Sequence, residues 1–146
     1  MKSSIIIILV LVAISTSTVQ SQTTQEIQKT EQSIKKNGKY ASLVMRNQHL
    51  EAAILTGKSF KNKSKKIDFQ IVVCGELVKE IIQDTALQSL IEEGVNQHGL
   101  KVLICGLSIN RLNLDKEKLP QSVTITENGL IYMFGLQEQG FKTVIL

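Results

Sequence analysis

Three observations predict an α/β fold. An apolar run ending in Cys-Gly occurs twice, as Ile71-Val72-Val73-Cys74-Gly75 and Val102-Leu103-Ile104-Cys105-Gly106. Each run leads into a segment with a helical apolar stripe, and strand-like and helix-like segments alternate along the chain. A short apolar run stopped by glycine and followed by helix reads as a strand buried on both faces, as in a parallel sheet. Such alternation predicts a three-layer α/β/α sandwich around a mostly parallel, five-stranded sheet. Open α/β sheets hold their ligands and reactive groups at the carboxyl ends of the strands. Cys74 and Cys105, the only cysteines, are therefore expected on the functional edge.

The first 21 residues read as a signal peptide, with Lys2 as the positive region and Ile5 to Ile14 as the apolar run. Val19 and Ser21 suit the −3 and −1 positions of a signal-peptidase site, which puts cleavage before Gln22. The apolar run of about ten residues is shorter than the ~20 a spanning helix needs. No cysteine follows it to carry a lipid, so no stable membrane anchor is expected after cleavage. The expected location is outside the cytoplasm: periplasmic in a Gram-negative bacterium, secreted otherwise. Residues 22–38 form a polar leader, flexible or weakly helical, whose apolar points are Ile27 and Ile34. Residues 39–146 form the single folded domain.

Within that domain Tyr40 to Met45 gives the first strand. Leu50, Ala53 and Ile54 mark one face of a helix over His49 to Leu55, ending near Gly57. Lys58 to Lys66 holds five lysines and no acid, and is expected to be a solvated loop. Phe69 to Cys74 is the second strand, and Leu77, Val78, Ile81 and Ile82 form the next helical stripe. Thr85 with Gln88 offers a capping box for a helix whose apolar face is Leu87, Leu90, Ile91 and Val95. Gly99 is placed to stop it. Lys101 to Cys105 is the third strand, followed by a short helix through Ile109 to Leu112 and a polar loop to Pro120. Val123 to Thr126 is the fourth strand, Gly129 to Gln139 a helix stopped by Gly140, and Thr143 to Leu146 the fifth strand.

Charge and motif content exclude several functions. The formal charge of +4 falls to +3 without Lys2, and no basic face is interleaved with aromatics, so nucleic acid is not an expected partner. Gly57-Lys58-Ser59 resembles the tail of a phosphate loop, yet Ala52 stands where its first glycine belongs and a helix precedes it. His49 and His98 have no metal-type spacing to each other or to the cysteines, so no metal site is expected. Asn62-Lys63-Ser64 is a glycosylation triplet, relevant only in a eukaryotic secretory path. No Ser-His-Asp set or paired-carboxylate signature supports hydrolysis, and no cofactor is implied.

Three segments in register carry a family resemblance: Ile71-Val72-Val73-Cys74-Gly75, then Gly99 to Ser108 with Cys105-Gly106 inside it, then Leu136-Gln137-Glu138-Gln139-Gly140-Phe141. Their order and spacing resemble DsrE-like proteins, the sulfur-relay family that includes the DsrE, DsrF, TusD and YchN-like proteins. The resemblance spans about Lys39 to Leu146. It implies a flavodoxin-like α/β sandwich and a homo-oligomer, trimeric or hexameric. It also implies sulfur donor and acceptor proteins as partners. In the sulfur-carrying members a cysteine at the end of a central strand accepts a persulfide sulfur and passes it on, and Cys105 lies at the matching position. Where many relatives carry His-Gly after the second strand, this chain has Cys74-Gly75.

Gly106 allows a sharp turn after Cys105, and a helix starting soon afterwards aims its amides and positive dipole end at the sulfur. Such placement lowers a thiol pKa from about 8.5 and raises the reactive thiolate fraction. Cys74 reads as a resolving thiol, a second carrier or an inert strand-end residue. Neighbouring strands lie ~4.8 Å apart, so adjacency of the second and third strands permits a Cys74–Cys105 disulfide. If the first strand lies between them, a gap of nearly 10 Å forbids it. The leading expectation is a persulfide carrier on Cys105. The alternatives are a non-catalytic oligomeric binding module with inert cysteines and a Cys74/Cys105 thiol–disulfide sensor.

Overall fold

The structure, a computed structural model, describes residues 17–146. The apolar run assigned to a signal peptide lies outside the described residues. The chain divides into a unit ending at Lys35 and a unit from Lys36 to Leu146. The first contains one helix, α1 (Ser17–Gln32). It spans the expected cleavage position and part of the polar leader. Its side chains bond back onto its own turns, Thr30 Oγ1 donating to the Glu26 carbonyl at 2.9 Å. Ile27 is exposed.

The second unit runs β1 (Lys39–Val44), α2 (Asn47–Lys63), β2 (Asp68–Val73), α3 (Leu77–Gln83), α4 (Thr85–Asn96), β3 (Lys101–Cys105) and α5 (Gly106–Arg111). A 3-10 turn (Lys116–Lys118), β4 (Thr124–Thr126), α6 (Gly129–Glu138) and β5 (Lys142–Ile145) complete it. The five strands form one sheet in the order β4-β3-β2-β1-β5, and every pairing is parallel. The predicted α/β class is the observed one. β2 and β3 are neighbours, whereas in the flavodoxin order the first strand separates them.

Right-handed crossovers explain the layers. From β1 to β2 to β3 the chain steps in one direction across the sheet, so α2 and α4 cover one face. Ile71, Val73, Val44 and Ile104 are buried there with Leu50 and Ile54 of α2 and Leu87 and Ile91 of α4. From β4 the chain must return past the whole sheet to pair β5 with β1. The same handedness rule puts its helix, α6, on the opposite face. Met133 and Leu136 of α6 pack there with Ala41, Leu43, Val72, Leu103, Phe141 and both cysteines. The Tyr132 hydroxyl of α6 donates to Gln70 Oε1 of β2 at 2.8 Å, which fixes the helix against the sheet.

The expected lysine loop is corrected, because α2 continues through Gly57 to Lys63. Gly57 does not stop the helix; it lets the helix approach the core. A Cβ there would lie 2.8 Å from Leu100 Cδ2 and Phe69 Cδ1. One turn later Phe60 sits edge-on to Tyr40 and Phe69, with ring centroids 5.1 and 5.5 Å away. Lys58 is held by Glu93 of α4 at 2.7 Å. The α4 cap is also corrected. Asp84, not Thr85, is the N-cap, its Oδ1 accepting from the Ala86 and Leu87 amides at 2.8 and 3.3 Å. Gln88 instead donates to the Ile81 carbonyl at 2.9 Å. Gly99 and Gly140 end α4 and α6 as expected, both at positive φ (69° and 83°).

Asp84→Ala removes the side chain that accepts from the first α4 amides, those of Ala86 and Leu87. It is expected to cost about 1 kcal/mol of stability. Urea unfolding should show a lower midpoint with an unchanged slope, and an unchanged midpoint would reject the cap assignment.

Candidate functional site

The chain leaving β3 turns into α5, which packs beside α3. The chain leaving β4 turns instead to α6 on the opposite face. The carboxyl edge of the sheet opens between those two exits, as at the switch points where α/β proteins bind ligands. Cys105 ends β3 at this place.

Register brings the second cysteine beside it. The β2–β3 register ends with Val73 opposite Ile104; Cys74 follows directly after β2, and its thiol hydrogen-bonds to Cys105 at the end of β3. Both belong to the apolar cluster under α6. Each is buried, at 9% and 4% exposure, yet both line a cavity of about 630 Å³ that also touches Leu43, Met45, Ser108 and Leu130. Burial and access therefore coexist: the sulfurs form part of a pocket floor.

Three glycines make the approach feasible. Gly75 takes φ 71°, turning the chain out of the sheet, and its amide donates to Ser108 Oγ at 2.8 Å. At Gly106 a Cβ would stand 2.8 Å from the Thr126 carbonyl oxygen, and the next amide, Leu107, donates to the Glu127 carbonyl at 3.0 Å. At Gly129 a Cβ would stand 2.6 Å from Cys74 Sγ and 3.3 Å from Cys105 Cβ. Only a bare backbone fits there. The Gly129 amide then reaches Cys105 Sγ at 3.3 Å. Asn128 caps α6 by accepting from the Leu130 and Ile131 amides at 3.0 and 3.4 Å. That leaves the Gly129 amide, at the positive end of the helix, to the sulfur.

The two thiols consequently differ. Burial alone would push the Cys105 thiol up; hydrogen bonds from the Gly129 and Ser108 amides, the Ser108 hydroxyl and the Cys74 thiol outweigh it and bring the pKa below the ordinary value. Cys74 is pushed up to about 12, first by burial, then by the negative charge on Cys105 and the hydrogen bond it gives to Cys105. The surroundings thus favour the thiolate at Cys105 and the thiol at Cys74.

Both sequence-predicted site residues thus meet in one place. The histidines do not join them. His98 lies 3.7 Å from Glu93, and His49 belongs to α2. Among the described residues no group of three or more His, Cys, Asp or Glu side chains is arranged to hold a metal ion. Sequence reasoning missed Ser108, Asn128 and Gly129. Asn128 ahead of an apolar helix was a readable cap signal. Nothing local linked Gly129 to a sulfur 24 residues away.

No family model matches the chain, and no curated protein matches it. Solved structures share its architecture, among them these two. The protein of unknown function MTH1491 from Methanobacterium thermoautotrophicum superimposes with a TM-score of 0.66 at 12% identity, over 75% of this chain and 99% of that one. The conserved protein of unknown function BT1422 from Bacteroides thetaiotaomicron gives 0.62 at 19% identity, over 75% and 96%. The likeness is one of fold.

Gly129→Ala is expected to destabilise the protein by about 1–3 kcal/mol through overpacking against Cys74. It should also slow iodoacetamide labelling of Cys105 at neutral pH, because the amide is pushed away from the sulfur. Labelling at the wild-type rate in folded variant protein would show that this amide does not hold the thiolate.

Proposed function

We propose that the chain is a DsrE-like sulfur carrier that holds a sulfur atom as a persulfide on Cys105. The observation that carries this reading is the Gly129 amide on Cys105 Sγ, 3.3 Å away, at the floor of an open cavity. A thiolate held in this way attacks the outer sulfur of a donor persulfide, R–S–SH. The new S–S bond gives Cys105–S–SH, the old one breaks, and the donor leaves as its thiolate. In the second step an acceptor thiolate attacks the outer sulfur of Cys105–S–SH and regenerates the Cys105 thiolate. The donors that lower the Cys105 pKa assist both steps. They raise the thiolate fraction for loading and make the departing thiolate a better leaving group for unloading.

The side-by-side register of Cys74 and Cys105 favours a second reading, a thiol–disulfide sensor. Adjacent strands at roughly 4.8 Å lie within the Cα separation a disulfide tolerates. In the carrier, Cys74 acts as a hydrogen-bond donor to the thiolate. In the sensor, it becomes the bonding partner.

Loading tests the carrier. Reduced protein incubated with glutathione persulfide should gain one sulfur atom on the Cys105 peptide by mass spectrometry, and Cys105→Ser should gain none while keeping its fold. Cys74→Ser should still load. Loading on Cys74 alone, or none on folded wild-type protein, would reject the carrier.

A further inference from the structure

The wall of the cavity is unlike its floor. Leu43, Met45, Leu107, Leu112, Leu130 and Ile145 make most of its lining apolar, and the buried Cys105 and Cys74, with Ser108, contribute the polar and sulfur atoms that we call its floor. Glu76 and Arg111 also line it and are exposed, as are Met45, Leu107, Leu130 and Ile145, so the sulfurs lie in an open, mostly apolar cleft. The volume of about 630 Å³ falls in the range of roughly 300–1,000 Å³ typical of small-molecule sites. A persulfide transfer needs the sulfur but does not by itself account for the wall. An apolar body delivered to the sulfur does.

We propose that apolar organic hydroperoxides enter this cavity and oxidise the pair to a Cys74–Cys105 disulfide. The inference rests on the thiol–disulfide reading of the pair and names its oxidant. The organic group lies against the leucines and Ile145, and the peroxide end meets the floor. The Cys105 thiolate attacks the terminal oxygen of R–O–OH. An S–O bond forms, the O–O bond breaks, and the alkoxide R–O⁻ leaves to take a proton from water. Cys105 is now a sulfenic acid. Cys74 lies beside it in register and attacks that sulfur; the S–S bond forms, the S–O bond breaks, and the departing hydroxide takes the Cys74 proton as water. Two thiol sulfurs are oxidised and one hydroperoxide is reduced to its alcohol. The S–H that stabilises the resting thiolate also supplies the proton for the leaving group.

The wall sets the selectivity. Hydrogen peroxide has no apolar surface to bury, whereas the aryl group of cumene hydroperoxide gains from leaving water. Cumene hydroperoxide is expected to oxidise Cys105 faster by about tenfold or more. Reduced full-length protein would be treated with cumene hydroperoxide, hydrogen peroxide or diamide, quenched by alkylation and read by peptide mass spectrometry. The expected result is a Cys74–Cys105 cross-linked peptide in all three arms, formed fastest with cumene hydroperoxide and reversed by dithiothreitol. In Cys74→Ser, dimedone should trap Cys105 as the sulfenic acid with the same preference, so the inference stays testable without the disulfide. Failure of diamide to close the disulfide in folded protein would reject the pair reading itself. A disulfide with diamide, but equal rates with the two peroxides or a preference for hydrogen peroxide, would overturn this inference alone.

Discussion

A sulfur that ionises inside an α/β sandwich must replace the water it loses with other donors, since an uncompensated buried charge is expensive. In this protein the replacement is the Gly129 amide at 3.3 Å from Cys105 Sγ, supported by Ser108 and by the Cys74 thiol. The surrounding structure reads as what is needed to put that amide there. The Tyr132–Gln70 bond at 2.8 Å ties α6 to the sheet. Asn128 satisfies the next two amides of α6. The missing side chain of Gly129 removes what would otherwise collide with both cysteines.

Topology supplies the place. Because the chain steps one way from β1 to β3 and then returns past the sheet through α6, the right-handed rule divides the helices between two faces. The exits of β3 and β4 diverge, and Cys105 sits at the mouth of that divergence. Adjacency of β2 and β3 does the rest: it makes Cys74 the lateral neighbour of Cys105. The same adjacency adds to burial in raising the Cys74 pKa and adds the last of the hydrogen bonds, after those of Gly129 and Ser108, that lower the Cys105 pKa.

Much of this was legible in the sequence, and the parts that were not share a cause. The limits of β3 read directly, because an apolar run buried on both faces is bounded by Gly99-Leu100 before it and Cys105-Gly106 after it. The strand-end position of both cysteines followed from the repeat. Strand order did not, since either arrangement of β1 and β2 satisfies the same local patterns. The local pattern ends α2 near Gly57, whereas packing runs the helix on to Lys63 and uses Gly57 for a close approach to Leu100 and Phe69. The part played by Gly129 depends on a contact across 24 residues, which no local periodicity encodes. Local rules found the elements; the site was built by their packing.

The central claim is that one fold environment splits two neighbouring thiols in opposite directions. Titrating the ultraviolet thiolate absorbance of the reduced protein tests it most directly, with Cys74→Ser and Cys105→Ser to assign each transition. The account predicts one transition below the ordinary thiol value of about 8.5, lost in Cys105→Ser. It predicts the other to stay unionised through the accessible alkaline range, consistent with a Cys74 pKa of about 12. Two overlapping transitions at or above the ordinary value would contradict it, and the thiolate-based chemistry proposed for Cys105 would fall with it.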